Sequence, residues 1–388
     1  TEIVLGILLS VVVAFSIGAF VQYVSRLVFT FQYEKKLKYF GAIFGGVSFA
    51  AITYFIFIKG MKSITFLSSD VKEFVNEHTW LIILISFVFW SLISQLLMSV
   101  FKTNILKAII IVGTFALALA FAGNDLVNFI GVPIAAWQSF GLWQTAYETS
   151  GVLPSEFAMN GLAGSVQTPE FLLTIAGGVM VLTLWLSSKA RAVVDTGVNL
   201  SRQGDGAERF EPNTLARVLV RYSVVASNAV TSILPGRVKN KIEAKFEKPN
   251  SALADRRVDA PAFDTVRASV NLVVAGILIS IGTNLKLPLS TTYVTFMVAM
   301  GTSLADRAWD RESAVYRVAG VVNVVGGWFV TAGVAFLAAA IFAAIIWYGG
   351  TIALAILVIL AIVLIVRSAV LHSKKVKEEK SKKRFNRH

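Results

Sequence analysis

Of 388 residues, 56% are hydrophobic and only 15% are charged, well below the roughly 25% charged side chains of soluble domains. With a mean hydropathy of +0.70 and repeated apolar runs of about 20 residues, each long enough to cross a hydrocarbon core of about 30 Å, the chain is excluded as a soluble enzyme, a disordered segment, a collagen or a coiled coil. It has no cysteine, which removes disulfides, thiolate nucleophiles and cysteine metal sites, and its net charge of +13 reads as membrane topology and not as nucleic-acid binding, because Lys and Arg gather in cytoplasmic loops.

Taken in chain order, apolar segments are expected at 3–30, 39–58, 79–101, 105–122, 171–187, 268–282, 290–305, 316–347 and 351–371. The chain opens on Thr1 without an initiator Met or a basic signal region, so it reads as part of a longer protein. Lys and Arg cluster at 34–38, at 102–107, through 189–267 and beyond residue 372; these belong on the cytoplasmic side. No Lys or Arg occurs between Lys107 and Lys189, so the stretch 138–169 is expected outside. Threading single crossings through these anchors makes 268–305 a hairpin that enters from the cytoplasm and returns to it. Four regions follow: a membrane bundle over 1–187, a basic cytoplasmic loop over 188–263, a second bundle over 264–371 and a basic cytoplasmic tail over 372–388. Within the loop, 215–233 has helical apolar spacing with Arg217 and Arg221 on another face, the pattern of an amphipathic helix on the inner leaflet.

Two places break the apolar pattern with groups that solvate ions. The first is Gly123-Asn124-Asp125-Leu126-Val127-Asn128, followed by Gly131 and Pro133, residues that disfavour a continued regular helix. A carboxylate at the bilayer centre costs about 2.5 to 3.5 kcal/mol on insertion scales, so Asp125 is expected to belong to an ion or substrate site, the alternative being a buried, hydrogen-bonded structural residue. Asn124 and Asn128 are four apart, on one helical face, and with Asp125 offer oxygen ligands to Na⁺. The second break is Pro288-Leu289-Ser290-Thr291-Thr292-Tyr293, a helix start with a preset φ and hydroxyl caps. The N–H groups and positive dipole end of such a half-helix favour an anion, and Ser290, Thr291 and Thr292 suit a tetrahedral oxyanion such as phosphate.

The remaining polar residues read more plainly. Lys286 is expected to snorkel to the interface, and Thr114, Asn271, Ser280 and Asn323 to bond neighbouring helices. Asp306, Arg307, Asp310, Arg311 and Glu312 are expected to form a cytoplasmic rim of ion pairs. The three histidines, His78, His372 and His388, lie outside the apolar segments, and no phosphate-binding loop, dinucleotide fingerprint or nucleophile elbow occurs. The chain is therefore read as no enzyme and as needing no bound cofactor, with energy drawn from an ion gradient.

Together the two motifs resemble those of the inorganic phosphate transporter (PiT) family. Its repeated G-A-N-D-V-A-N-A signature is matched in part by Gly123-Asn124-Asp125-Leu126-Val127-Asn128, and its P-x-S-T-T-H motif by Pro288-Leu289-Ser290-Thr291-Thr292-Tyr293. The Ala after Gly is absent, and Tyr293 stands where many members have His, which favours Na⁺ over H⁺ as the coupling ion. The resemblance implies an all-α, polytopic transmembrane helical bundle with broken or re-entrant helices, forming one half of an inverted-repeat transporter. It assigns phosphate to Ser290, Thr291, Thr292 and Asn128, the ion to Asp125, Asn124 and Asn128, and a second tier to Thr283, Asn284 and Tyr293. It also implies a missing N-terminal repeat before Thr1, an inner (plasma) membrane location with the C-terminus cytoplasmic, and, as partners, phosphate, Na⁺ or H⁺ and the lipid bilayer, with a homodimer left open. A symporter of another oxyanion such as sulfate, or an enzyme acting on phospholipid, is the rival reading.

Overall fold

The computed structural model describes residues 2–58, 69–164, 168–202, 211–218, 220–222, 225, 235–247, 263–287, 289–308 and 311–385. Among them the ordered structure is helical and no strand occurs. Helices α1 (Glu2–Phe29) and α2 (Glu34–Ile52) come first, and α2 runs on into a π-helical segment, Thr53–Ile58. Next are α3 (Ser69–Glu77), α4 (Thr79–Ser99), α5 (Ile105–Ser150), α6 (Glu170–Leu186), α7 (Ser188–Ser201) and α8 (Gly236–Lys245). The chain closes with α9 (Thr265–Asn284), α10 (Thr291–Ala305) and α11 (Arg311–Phe385). Among the described residues, six stretches are long and apolar enough to cross a membrane: Val4–Phe29, Tyr33–Ile56, Thr79–Ser99, Ile105–Ser150, Thr265–Asn284 and Ala314–Ser368. This is an all-α membrane protein.

Two compact units divide the chain, Thr1–Val318 and Ala319–His388. In the first, α1 packs along α10, α2 along α4, and α9 against both α5 and α10. Its core gathers Phe29, Phe49, Ile52, Ile105, Leu106 and Val266. Small residues allow the closest approaches, as is usual where lipid removes the hydrophobic drive between helices. A Cβ on Gly18 would lie 2.9 Å from the Val298 carbonyl oxygen, and one on Gly301 would run into the Phe15 carbonyl oxygen and lie 3.0 Å from the Ala19 nitrogen. Backbone therefore faces backbone between α1 and α10. Gly301→Ala is expected to force these helices apart at a cost of about 1 to 3 kcal/mol, read as a lowered unfolding temperature in detergent, whereas Gly177→Ala, with nothing within 4 Å of the added carbon, is expected to have no such effect.

The described residues of the second unit are helical, with one interruption. Gly350 has φ 57° and ψ −145°, a conformation open essentially to glycine alone. The expected segments 316–347 and 351–371 meet there.

Three expectations change. The chain does not leave the helix at the first motif: α5 runs unbroken for 46 residues through Gly123, Gly131 and Pro133. Pro133 removes only one helical donor, and its neighbours keep their own bonds, which is how proline is accommodated inside long apolar helices. Consequently the region expected to be an external loop, 138–169, is helical as far as Ser150 and is closed by Gly151 at φ 65°. Asp306, expected in a cytoplasmic rim of ion pairs with its sequence neighbours, is ion-paired instead with Arg26 and Arg267 and is only 1% exposed. The helix break at the second motif is present, as the short turn between α9 and α10. Most of the stretch 215–233 lies outside the described residues, as do Pro288 and Asp310.

Candidate functional site

The turn between α9 and α10 begins where α9 ends. Lys286 takes φ 54°, Leu287 N–H donates to the Gly282 carbonyl at 2.9 Å, and Lys286 N–H donates to the Thr283 carbonyl at 3.0 Å. This is the paired closure of a helix C-terminus around a left-handed residue. Gly282 has no room for a side chain, because the Leu289 side chain folds back over it. The chain then extends through Ser290, at φ −105° and ψ 124°, and enters α10 at Thr291. Thr283 and Thr291 consequently stand on either side of one turn.

Helix α5 presents the first motif to that turn. The Thr291 hydroxyl donates to the Asp125 carboxylate, lying 2.8 and 2.9 Å from its two oxygens. Asn124 Nδ2 donates to Thr283 Oγ1 at 3.1 Å. Residues 166 and 159 positions apart are thereby joined pairwise. The Asp125 carboxylate sits at the N-terminus of α10, where the aligned peptide dipoles favour negative charge. Asn124 Oδ1, by contrast, is buried and has no hydrogen-bond partner among the described residues, although buried amide oxygens are ordinarily satisfied. One carboxylate and an unsatisfied amide oxygen thus lie on adjacent residues, a donor set suited to a hard monovalent cation. Among the described residues no group of three or more His, Asp or Glu could hold a metal ion.

The other expected site residues are not drawn in as closely. Thr292 and Asn128 are exposed, while Ser290, Asn284 and Tyr293 are partly buried. Ser290 occupies the cap position of α10 without capping it through its side chain. Lys286 is exposed on the turn, as snorkelling requires. Asn271 bonds a neighbouring helix as expected, accepting from Thr302 Oγ1 at 2.6 Å.

At the other end of α10 stands a buried ionic cluster that sequence reasoning missed. Arg26, 0% exposed, donates from Nε and Nη2 to Asp306 at 2.9 and 2.6 Å. It also donates to Asp264 at 2.8 and 3.2 Å and to the Thr30 carbonyl at 3.0 Å. All the donors of one guanidinium are thereby used. Gln22 Nε2 adds a bond of 2.8 Å to Asp306, and Asp264 caps α9 by accepting from the Arg267 N–H at 3.0 Å. Asp306 occupies the C-cap of α10, where the dipole disfavours an anion; the two-point contact with Arg26 compensates for that. Arg267 is different. It is equally buried, yet none of its three side-chain nitrogens has a hydrogen-bond partner among the described residues. Its Nε stops 3.7 Å from Asp306, and its guanidinium lies 4.7 Å from the centre of the Phe263 ring.

Searches against family models, curated proteins and solved structures return no match.

Proposed function

We propose that this chain belongs to an ion-coupled phosphate symporter of the PiT type, with Na⁺ as the coupling ion. The observation that carries the reading is the contact between Asp125 and Thr291, because it joins the two motifs whose pairing suggested the family. In the proposed mechanism Na⁺ is held by Asp125 and Asn124, with Asn128 completing the set from the next turn of α5. Neutralising Asp125 lowers the electrostatic cost of a phosphate at the N-terminus of α10, where Ser290, Thr291 and Thr292 supply hydroxyls. The Thr291 hydroxyl, now given to Asp125, is then free to donate to the anion. Each ligand thereby stabilises the site of the other, which is the requirement for coupling. Alternating access would exchange the side of the membrane to which the site opens, with the protein in the inner (plasma) membrane and its C-terminus cytoplasmic.

The test is uptake of labelled phosphate into proteoliposomes holding the protein together with any upstream sequence it carries in the cell. Uptake is expected under an inward Na⁺ gradient, with competition by arsenate and none by sulfate. Uptake driven by a proton gradient alone would replace the ion, sulfate competition would replace the substrate, and turnover of phospholipid without uptake would replace the transporter by an enzyme.

A further inference from the structure

Helix α8 lies within the basic stretch 188–263, and its C-terminal end is seated on α1 and on the turn that follows α10. Lys245 Nζ donates to the Leu27 carbonyl oxygen, one of the last-turn acceptors that a helix leaves open. The next residue, Phe246, is 4% exposed. It stacks on Tyr23 with ring centres 5.4 Å apart, and the Arg307 guanidinium lies 4.8 Å from the centre of its ring. Arg237, Lys239 and Lys241 are exposed and make no hydrogen bond or ion pair among the described residues. We propose that α8 lies on the bilayer surface at the α1 C-terminus, with Arg237, Lys239 and Lys241 contacting the headgroups of anionic phospholipids.

Position and pattern both point to lipid. Leu27 is close to the end of the apolar stretch Val4–Phe29, so the Lys245 contact fixes one end of α8 near the level where that stretch leaves the hydrocarbon core. At 1.5 Å per residue, Lys241, Lys239 and Arg237 lie about 6, 9 and 12 Å from Lys245 along α8, so none can stand further than that from this level, whatever the tilt. A headgroup layer is about 5 to 7 Å deep on each side, the charge of its surface is felt for about 8 Å beyond at physiological salt, and long basic side chains reach toward it. Val238, Ile242 and Lys245 recur at helical spacing, on a single face. That face touches α1 at Lys245, is partly buried at Ile242 and is 42% exposed at Val238, so its apolar stripe runs on past the protein that covers it. Arg237 and Lys241 border the stripe on one side and Lys239 on the other, the pattern of a helix lying in a membrane interface. A soluble acidic partner would match the charge but gives no reason for the stripe or for its place at the end of an apolar helix. The inference rests on the chain's being a membrane protein, and not on phosphate as its substrate.

Since the chain has no cysteine, one introduced thiol reports cleanly. The full chain carrying Val238→Cys, or Asn240→Cys half a turn away, is labelled with a fluorophore and placed in nanodiscs of phosphatidylcholine, with or without phosphatidylglycerol. A phospholipid with a nitroxide on its headgroup serves as the quencher. Quenching at 238 is expected to rise about threefold with phosphatidylglycerol, less than the fivefold that a single cation is worth at an anionic surface, because Phe246 already holds α8 nearby. In about 1 M salt, where screening shortens to about 3 Å, the rise is expected to vanish. Replacing the three cations together, in Arg237→Gln with Lys239→Gln and Lys241→Gln, is expected to abolish it as well, and to leave the unfolding temperature unchanged because all three are exposed. At 240 quenching is expected to stay low in both lipids. Absence of quenching at 238, equal quenching in the two lipids, or a rise that survives the triple substitution would overturn the proposal. Shielding of the 238 fluorophore by soluble polyglutamate, without quenching by lipid, would also overturn it and assign the face to an acidic protein.

Discussion

Asp125→Asn is expected to reduce Na⁺-driven phosphate uptake by about 100-fold or more, the equivalent of ~2.8 kcal/mol at 1.4 kcal/mol per decade. The side chain keeps its shape and can still accept a hydrogen bond from Thr291, which lies 2.8 Å from one carboxylate oxygen. What it loses is the negative charge that the proposed mechanism needs to hold the cation. A structural role for Asp125 predicts a different result, with Asp125→Asn tolerated and both Asp125→Asn and Thr291→Val lowering the unfolding temperature alike. The distinguishing measurement is Na⁺-dependent protection against thermal unfolding: the wild type is expected to gain stability with Na⁺, and Asp125→Asn to gain none while unfolding at a similar temperature in its absence.

The second large effect concerns stability. Arg26→Met removes the cation between Asp306, whose side chain is 1% exposed, and Asp264, at 23%. Breaking one side of such a buried network costs about 3 to 5 kcal/mol, because the loss leaves charge without compensation. The expected fall in unfolding temperature is roughly 10 °C. Replacing Asp306 as well, in Arg26→Met with Asp306→Leu, is expected to restore only a minor part of it, since the buried carboxylate is gone but Arg267 loses the carboxylate 3.7 Å from it and Asp264 stays without Arg26. Measuring the singles and the double as a cycle gives the coupling directly. Equal and additive losses would mean that Arg26 acts by packing alone.

Much of this architecture is legible in the sequence, and the limits have physical causes. Long apolar runs mark helices, because a segment in lipid must satisfy its own backbone. Asp125 and Thr291 stood out because each sets polar atoms within such a run, and the structure shows them bonded. The spacing of Asn128 to Asn124 predicts a shared helix face, but spacing along a helix says nothing about which neighbour faces it, and Asn128 is exposed. Helix-disfavouring residues misled at Gly131 and Pro133, where the loss of one donor is small against the many bonds of α5. The buried cluster was invisible for another reason. Arg26 ends an apolar segment and Asp306 follows one, positions where charge ordinarily meets water, and nothing local announces that the two will meet.

Their separation also constrains how the protein is made. Arg26 and Asp306 are 280 residues apart, and at about 5 to 20 residues per second of synthesis the arginine waits some tens of seconds for its carboxylate. Throughout that interval α1 carries a full charge that its own segment cannot neutralise. The acceptors around the Arg26 guanidinium are therefore complete only once the residues that flank α9 and α10 have been made, so the first helix takes its final ionic contacts from the last part of its own unit.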